Sequence, residues 1–320
     1  MKLVHFLPSQ AAVMDILGEQ FPAIEFVKAA TPEHAAEELV NADILVTGGP
    51  YYLGDVAHAV NTNAPTLRWI QSLSIGTDLF EQGGVPAHVT FTNAAGLKGR
   101  TVSEHAMALI LGYTHALPDM ERSRTKTEWG RDAIRAQVES LEGLTLLLLG
   151  YGSIGLEIAR KAKAFDMHVI ALNRSGHGVG AADEVAPLQD LGTWLPKADF
   201  VASSLPLTPD THKLISDQEF SQMKPSAILI NVGRGAVVDQ KALIKALQQN
   251  AIAGACLAVF EQEPLPADDP IWQMQNVIIS PHVGGTGGPI AGRFSELVAE
   301  NLIRFQEGRS LKNEVNFTRD

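Results

Sequence analysis

Residues 144–155 read Leu144-Thr145-Leu146-Leu147-Leu148-Leu149-Gly150-Tyr151-Gly152-Ser153-Ile154-Gly155, and LEIARKAKAF follows at once. Four leucines in a row suit a strand buried on both faces. The G-x-G-x-x-G pattern is weak alone, and the strand before it and the helix after it give it meaning. Ile154, Ile158, Ala162 and Phe165 fall on one helical face, so the helix packs on a sheet while its free N-terminal amides point at a pyrophosphate. Gly150 permits the tight turn, Gly152 lets a phosphate reach the backbone, and Gly155 allows close helix packing.

Working outward, the N-terminal runs KLVHF, AIEFV, ADILVTG, TLRWIQSL and VTFTNA alternate with helix-like stretches such as Thr31 to Val40, which predicts βα units and a parallel sheet. Residues 101–117 place Val102, Ala106, Leu109, Ile110 and Tyr113 at helical spacing, a long buried helix. The densely charged stretch Asp119 to Glu142, with its lone Trp129, reads as a solvated connector or as an arm whose tryptophan packs on a second subunit. After the leucine strand come MHVIALN, ADFVASSLP, SAILINVG, GACLAVF and NVIISPH, each a buried strand ending in a turn, and then a last helix from Gly292 to Glu307. The fold class is therefore α/β, with one parallel-sheet domain over residues 1–99 and a second over 100–285. The last helix fits either.

Composition narrows the function. The 320 residues are 45% hydrophobic and 19% charged, below the roughly 25% charged of an average domain, as in a compact soluble protein. Lys plus Arg (25) against Asp plus Glu (36) leaves −11, the wrong sign for tracking a nucleic-acid backbone. The lone Cys256 sits in an apolar run as a packing residue and fits a reducing compartment. The start MKLVHFLPSQ is too short in apolar residues for a signal peptide, and no run approaches a membrane span, so the expected location is the cytoplasm. No HExxH, cysteine pair or GxSxG argues for a metal or a nucleophile.

Open parallel sheets bind ligands beyond the carboxyl ends of their strands. An NAD site usually has an acid at the end of the second strand, for the ribose 2′-hydroxyl; here HVIAL ends in Asn173-Arg174-Ser175. A guanidinium with amide and hydroxyl neighbours suits a 2′-phosphate, so NADP(H) is expected over NAD(H). Three later strand ends deliver Gly233-Arg234-Gly235, then Glu261 and Glu263, then Pro281-His282. An arginine, a glutamate and a histidine thus share the edge that holds the glycine loop.

LLGYGSIG, DFVASSLPLTPDTHKLI, NVGRGAVVDQKALIKAL, VFEQEPLP and SPHVGG, in this order, resemble the D-2-hydroxyacid dehydrogenase family over nearly the whole chain, most densely between residues 144 and 285. The resemblance implies two Rossmann-like or flavodoxin-like domains with the active site in the cleft between them. Residues 1–99 plus 286–320 would be the substrate domain and 100–285 the dinucleotide domain, with the helix near Val102 part of the hinge. It implies a homodimer that reduces a small 2-oxo acid, such as glyoxylate or hydroxypyruvate, to the D-2-hydroxy acid. Arg234 would hold the substrate carboxylate, His282 would act as general acid and base, and Glu263 would orient it. Leu53, Ser74, Ile75 and Gly76 would complete the substrate site, with Pro50-Tyr51-Tyr52-Leu53 overlying the substrate side chain. Besides Gly150, Tyr151, Gly152, Ser153, Ile154 and Gly155, the coenzyme would meet Val102, Asn173, Arg174, Ser175, Leu205, Pro206, Thr211, Val232 and Gly233. Where the family usually reads LDVFE this chain has Leu257-Ala258-Val259-Phe260-Glu261, which implies weaker anchoring of the nicotinamide. The alternatives are a phosphoglycerate dehydrogenase-like enzyme and a dinucleotide-sensing binding protein resembling corepressors built on this fold.

Overall fold

Strand pairing in the computed structural model, which describes residues 1–8 and 12–317, forms two wholly parallel sheets in two separate units. Met1–Lys98 and the chain from Gly287 onward make one unit, and Gly99–Thr286 the other; residues 318–320, at the end of the expected first domain, lie outside the described residues. The first unit holds β1 (Lys2–Phe6), β2 (Glu25–Lys28), β3 (Ile44–Thr47), β4 (Trp69–Ser72) and β5 (Thr90–Thr92), in the order β2-β1-β3-β4-β5. The second holds β6 (Thr145–Leu149), β7 (His168–Asn173), β8 (Glu184–Pro187), β9 (Phe200–Ser203), β10 (Ile228–Asn231), β11 (Gly254–Leu257) and β12 (Val277–Ile279), ordered β12-β11-β10-β9-β6-β7-β8.

The apolar runs are explained by burial on both sheet faces. In β6 the side chains alternate, so Leu146 and Leu148 enter one apolar core and Leu147 and Leu149 the other. Full burial of each is worth about 1.5–3 kcal/mol. The long helix Gly99–Thr114 supplies Val102, Ala106, Met107, Leu109 and Ile110 to one of these cores. The helix Ser153–Lys163 adds Ile158, Ala159 and Ala162. Phe165, expected on that same buried face, lies past the end of the helix and is 40% exposed. Cys256 is buried in apolar surroundings that push its thiol pKa up.

The charged stretch forms two short helices, Leu117–Lys126 and Arg131–Arg135, with Trp129 between them 89% exposed. The last helix, Ile290–Gln306, belongs to the first unit, where Phe294, Val298 and Leu302 pack with Val13, Met14 and Leu17. Among the described residues no helix is long and apolar enough to cross a membrane. One expectation is corrected here. Tyr52 does not overlie a ligand: the helical turn Gly49–Tyr52 drives it inward, its ring centroid 4.6 Å from that of Phe80 and its hydroxyl donating to the Gly84 carbonyl at 2.5 Å. Tyr51 packs edge-on against Phe6.

His5, on β1, is 2% exposed, and its Nε2 has no partner among the described residues. Burial first, and the Lys28 charge second, lower its pKa from 6.5 to about 4. The folded unit therefore holds His5 neutral, whereas the unfolded chain takes up a proton below about pH 6.5. Stability contributed by neutral His5 is complete above pH 6.5 and is lost as the pH falls toward about 4, a change of roughly 3 kcal/mol. Urea unfolding followed across that range should show this loss in the natural chain and a flatter profile in His5→Leu. Equal slopes in the two proteins would remove His5 as the cause.

Candidate active site

The second sheet reverses direction between β6 and β9: the chain runs outward from β6 through β7 to β8, then returns to the opposite flank of β6. In open parallel sheets ligands bind beyond the strand ends at such a switch point. Gly150 leaves β6 at φ +98°, a backbone that favours glycine. A Cβ on Gly155 would overlap the Gly150 carbonyl oxygen, so only glycine lets the helix start this close to the strand. Gly152 is the opposite case, since a Cβ there would meet nothing within 4 Å. The helix Ser153–Lys163 starts at this open space with no side-chain cap. Open volume in front of uncapped amides fits an anionic diphosphate.

From the loop after β9, Ser204 Oγ donates to the Gly150 carbonyl at 3.1 Å. The 205–211 loop is closed by Thr211 Oγ1, which donates to the Pro206 carbonyl at 2.6 Å and accepts from the Thr208 amide at 2.8 Å. Leu205, Val232 and Gly233 are buried along this edge, and Gly233 packs on Leu205. Val102 is buried among the helix contacts, and Tyr151 is buried in the same core and accepts a hydrogen bond from the Ala182 amide at 3.0 Å. At the end of β7, Asn173 shapes the loop that follows: Oδ1 accepts from the Gly176 amide at 2.7 Å and Nδ2 donates to the His177 carbonyl at 2.8 Å. Arg174 and Ser175 stand exposed on that loop.

The loops after β10, β11 and β12 carry Arg234, Glu263 and His282 at the same edge of the sheet. Asn231, the last residue of β10, donates to the Arg234 carbonyl at 3.0 Å and accepts from the Gly233 amide at 3.2 Å. His282 Nδ1 lies 2.6 Å from Glu263 Oε2, while Glu263 Oε1 accepts from the Phe260 amide at 3.0 Å. Burial works against ionisation of Glu263, but the hydrogen bonds from His282 and Phe260 and the charges of His282 and Arg234 outweigh it and hold its carboxyl below the usual range. Glu261 serves elsewhere, accepting from the Gln240 amide at 2.9 Å and pairing with Lys213 at 3.7 Å, so that it ties down the next helix. Ala258 is buried in the core, where no carboxylate stands in its place.

In the first unit Ser74 Oγ accepts from the Gly49 amide at 3.0 Å, and Asn93 Nδ2 donates to the Ile75 carbonyl at 2.9 Å. The amides of Ile75 and Gly76 take no part in the hydrogen bonds among the described residues, and Leu53 is half-buried. Sequence reasoning missed the residues that shape these loops, namely Asn93, Asn231 and Ser204. An asparagine at a strand end ahead of a glycine was a signal for Asn231; nothing local marked Ser204.

Comparison with known proteins finds relatives of one family. The family described as D-isomer specific 2-hydroxyacid dehydrogenase, NAD binding domain, matches residues 107–284. A glyoxylate/hydroxypyruvate reductase B of Escherichia fergusonii is 36% identical over 292 residues, covering 89% of this chain and 88% of its own. A D-isomer specific 2-hydroxyacid dehydrogenase family protein of Aeromonas salmonicida superposes with a TM-score of 0.88 at 31% identity, over 99% of both chains. The NADPH-dependent glyoxylate/hydroxypyruvate reductase of Sinorhizobium meliloti, solved with NADP and sulfate, gives 0.84 at 26% identity, over 98% of both.

The glycine loop yields a paired test. Gly152→Ala should leave the unfolding temperature nearly unchanged, because its methyl meets no protein atom, yet weaken dinucleotide binding about tenfold or more by occupying the cradle. Gly155→Ala should lose stability first, because its methyl overlaps the Gly150 carbonyl. Calorimetry of both variants with titration of coenzyme separates the two effects, and undiminished coenzyme binding by Gly152→Ala would remove the diphosphate from this loop.

Proposed function

The chain belongs to the D-isomer specific 2-hydroxyacid dehydrogenase family, and on that premise we propose that it reduces a small 2-oxo acid to the D-2-hydroxy acid with NADPH as preferred coenzyme. The observation that carries this reading is the 2.6 Å Glu263–His282 pair, set near Arg234 at the strand ends that also hold the glycine cradle. With Nδ1 engaged by Glu263, His282 has Nε2 left to donate a proton to the 2-oxo oxygen, and to take one from the hydroxyl in the reverse direction. Ionised Glu263 holds the imidazole in that orientation. Arg234 offers a planar fork of donors to the carboxylate and the adjoining carbonyl oxygen. A nicotinamide dinucleotide supplies the hydride when bound. On the first unit, the amides of Ile75 and Gly76 are assigned to a substrate carboxylate and Leu53 to the carbon chain.

Coenzyme preference rests on Arg174, exposed on a loop that Asn173 holds in shape and with no acid at the strand end. One charge-assisted hydrogen bond of about 1.5–3 kcal/mol amounts to roughly 10- to 100-fold selection for a 2′-phosphate, with NADH the weaker coenzyme. The NADPH dependence of the Sinorhizobium reductase supports the same assignment. We further assign a homodimer, because Trp129 is 89% exposed with Leu117 and Met120 also exposed on the preceding helix, more apolar surface than a lone chain is expected to offer water.

Initial rates with NADPH and NADH, side by side, against glyoxylate, hydroxypyruvate, pyruvate, phenylpyruvate and 2-oxoisocaproate test the reaction. NADPH should lead by about 10- to 100-fold, and Arg174→Ala should erase the lead. Turnover with NADH alone would overturn the coenzyme assignment, whereas no turnover on any acid despite tight coenzyme binding would replace the enzyme with a dinucleotide-sensing protein. For the dimer, light scattering should give twice the chain mass, falling to one chain in Trp129→Glu; a monomeric natural chain ends that assignment.

A further inference from the structure

The reactive side chains hang from strand ends of unequal support. β10 and β11 lie inside the sheet, whereas β12 is its outer strand and only three residues long. His282 follows β12 with φ +54°, a left-handed backbone that costs a non-glycine residue about 1–2 kcal/mol. Such a conformation persists only when its surroundings fix it. Glu263 fixes the ring of His282. The turn that carries the ring needs a holder of its own.

His105 is placed to be that holder. Its Nε2 lies 2.8 Å from Ser280 Oγ. Ser280 is buried, its amide donates to the Leu257 carbonyl at 2.8 Å, and its carbonyl accepts from the His282 amide at 2.9 Å. The same imidazole reaches the far end of the turn, since a methyl added to Gly284 would stand 3.0 Å from His105 Cδ2. The ring therefore touches the turn at residues 280 and 284, with His282 midway between them. Its base is firm: on the same helix Tyr113 donates to the Ala253 carbonyl at 3.0 Å, and Cys256 Sγ lies 3.6 Å from the Leu109 carbonyl. Burial lowers the pKa of His105, so the ring meets Ser280 as neutral imidazole at ordinary pH.

We infer that His105 is a positioning residue, which clamps the Ser280–Gly284 turn and so aims the proton-carrying nitrogen of His282 at the substrate oxygen. The inference rests on the reductase reading above. It adds a side chain that touches neither substrate nor coenzyme and acts through Ser280.

The test compares the natural chain with His105→Ala, His105→Gln, Ser280→Ala and the double variant His105→Ala with Ser280→Ala. A misplacement of the acid should lower kcat by about 10- to 100-fold in His105→Ala and leave KM and coenzyme affinity nearly unchanged. His105→Gln, whose amide reaches a similar distance and bonds a hydroxyl, should recover most of kcat. Because the two residues act as one tie, the double variant should be little worse than either single one. The ring-nitrogen resonances of His282 in 15N-labelled protein should move in both alanine variants and return in His105→Gln. Unmoved resonances with unchanged kcat overturn the clamp. A loss of kcat that glutamine does not restore, matched by a lower unfolding temperature, overturns it too and makes His105 a packing residue. If the natural chain turns over none of the acids, the reductase reading fails, and the His282 resonances still decide for or against the clamp.

Discussion

Gly235 lies so close to the next loop that a single added methyl would overlap the Phe260 carbonyl. This backbone-on-backbone contact joins the turn that bears Arg234 to the turn that bears Glu263, and through Glu263 it reaches His282. At this distance neither loop can shift toward the other without a backbone clash. The strands beneath bring the loops to one edge because all of them are parallel, with β10 and β11 buried and β12 half-buried at the margin. Removing either the sheet or the contact would leave the arginine, the glutamate and the histidine on the same domain but in no fixed relation.

A second regularity runs through both units. The last residue of a strand, or the one just after it, repeatedly folds the loop that follows with its own short polar side chain. Asn173 and Asn231 each accept from one loop amide and donate to one loop carbonyl. Ser72 Oγ accepts from the Ser74 amide at 2.9 Å and donates to its carbonyl at 3.2 Å. Asn93 accepts from the Ala95 amide at 3.0 Å and reaches back to Ile75. Asparagine and serine do this because their side chains mimic a peptide group two or three bonds from the backbone. Loops held this way are ordered before a ligand arrives, so less of the binding energy is spent on ordering them.

The α/β class and the glycine loop were legible because they are local: strand period, glycine spacing and the change to a helical face all lie within about twenty residues of Leu144. Arg234, Glu263 and His282 could be named as strand-end residues for the same reason. The choice between Glu261 and Glu263 could not be made from spacing alone, since they stand two positions apart and only the Gln240 and Lys213 contacts show which one is tied up. Tyr52 was misread because a four-residue helical turn decides whether a side chain points in or out, and Phe165 because the helix stops two residues earlier. His105 carried no mark at all. A single histidine on an apolar helix is usually packing, and its partner stands 175 residues away.

The first unit is assembled from both ends of the chain, with the second unit inserted between. One face of its sheet is covered by Phe294, Val298 and Leu302 of the helix Ile290–Gln306, after nearly all of the rest has been made. On the ribosome, then, the inserted unit has every residue of both its cores available first, while Val13, Met14 and Leu17 of the earlier-made unit wait for the helix that packs on them. That waiting form is the state in which the newborn chain is most prone to stick to its neighbours and most in need of a chaperone.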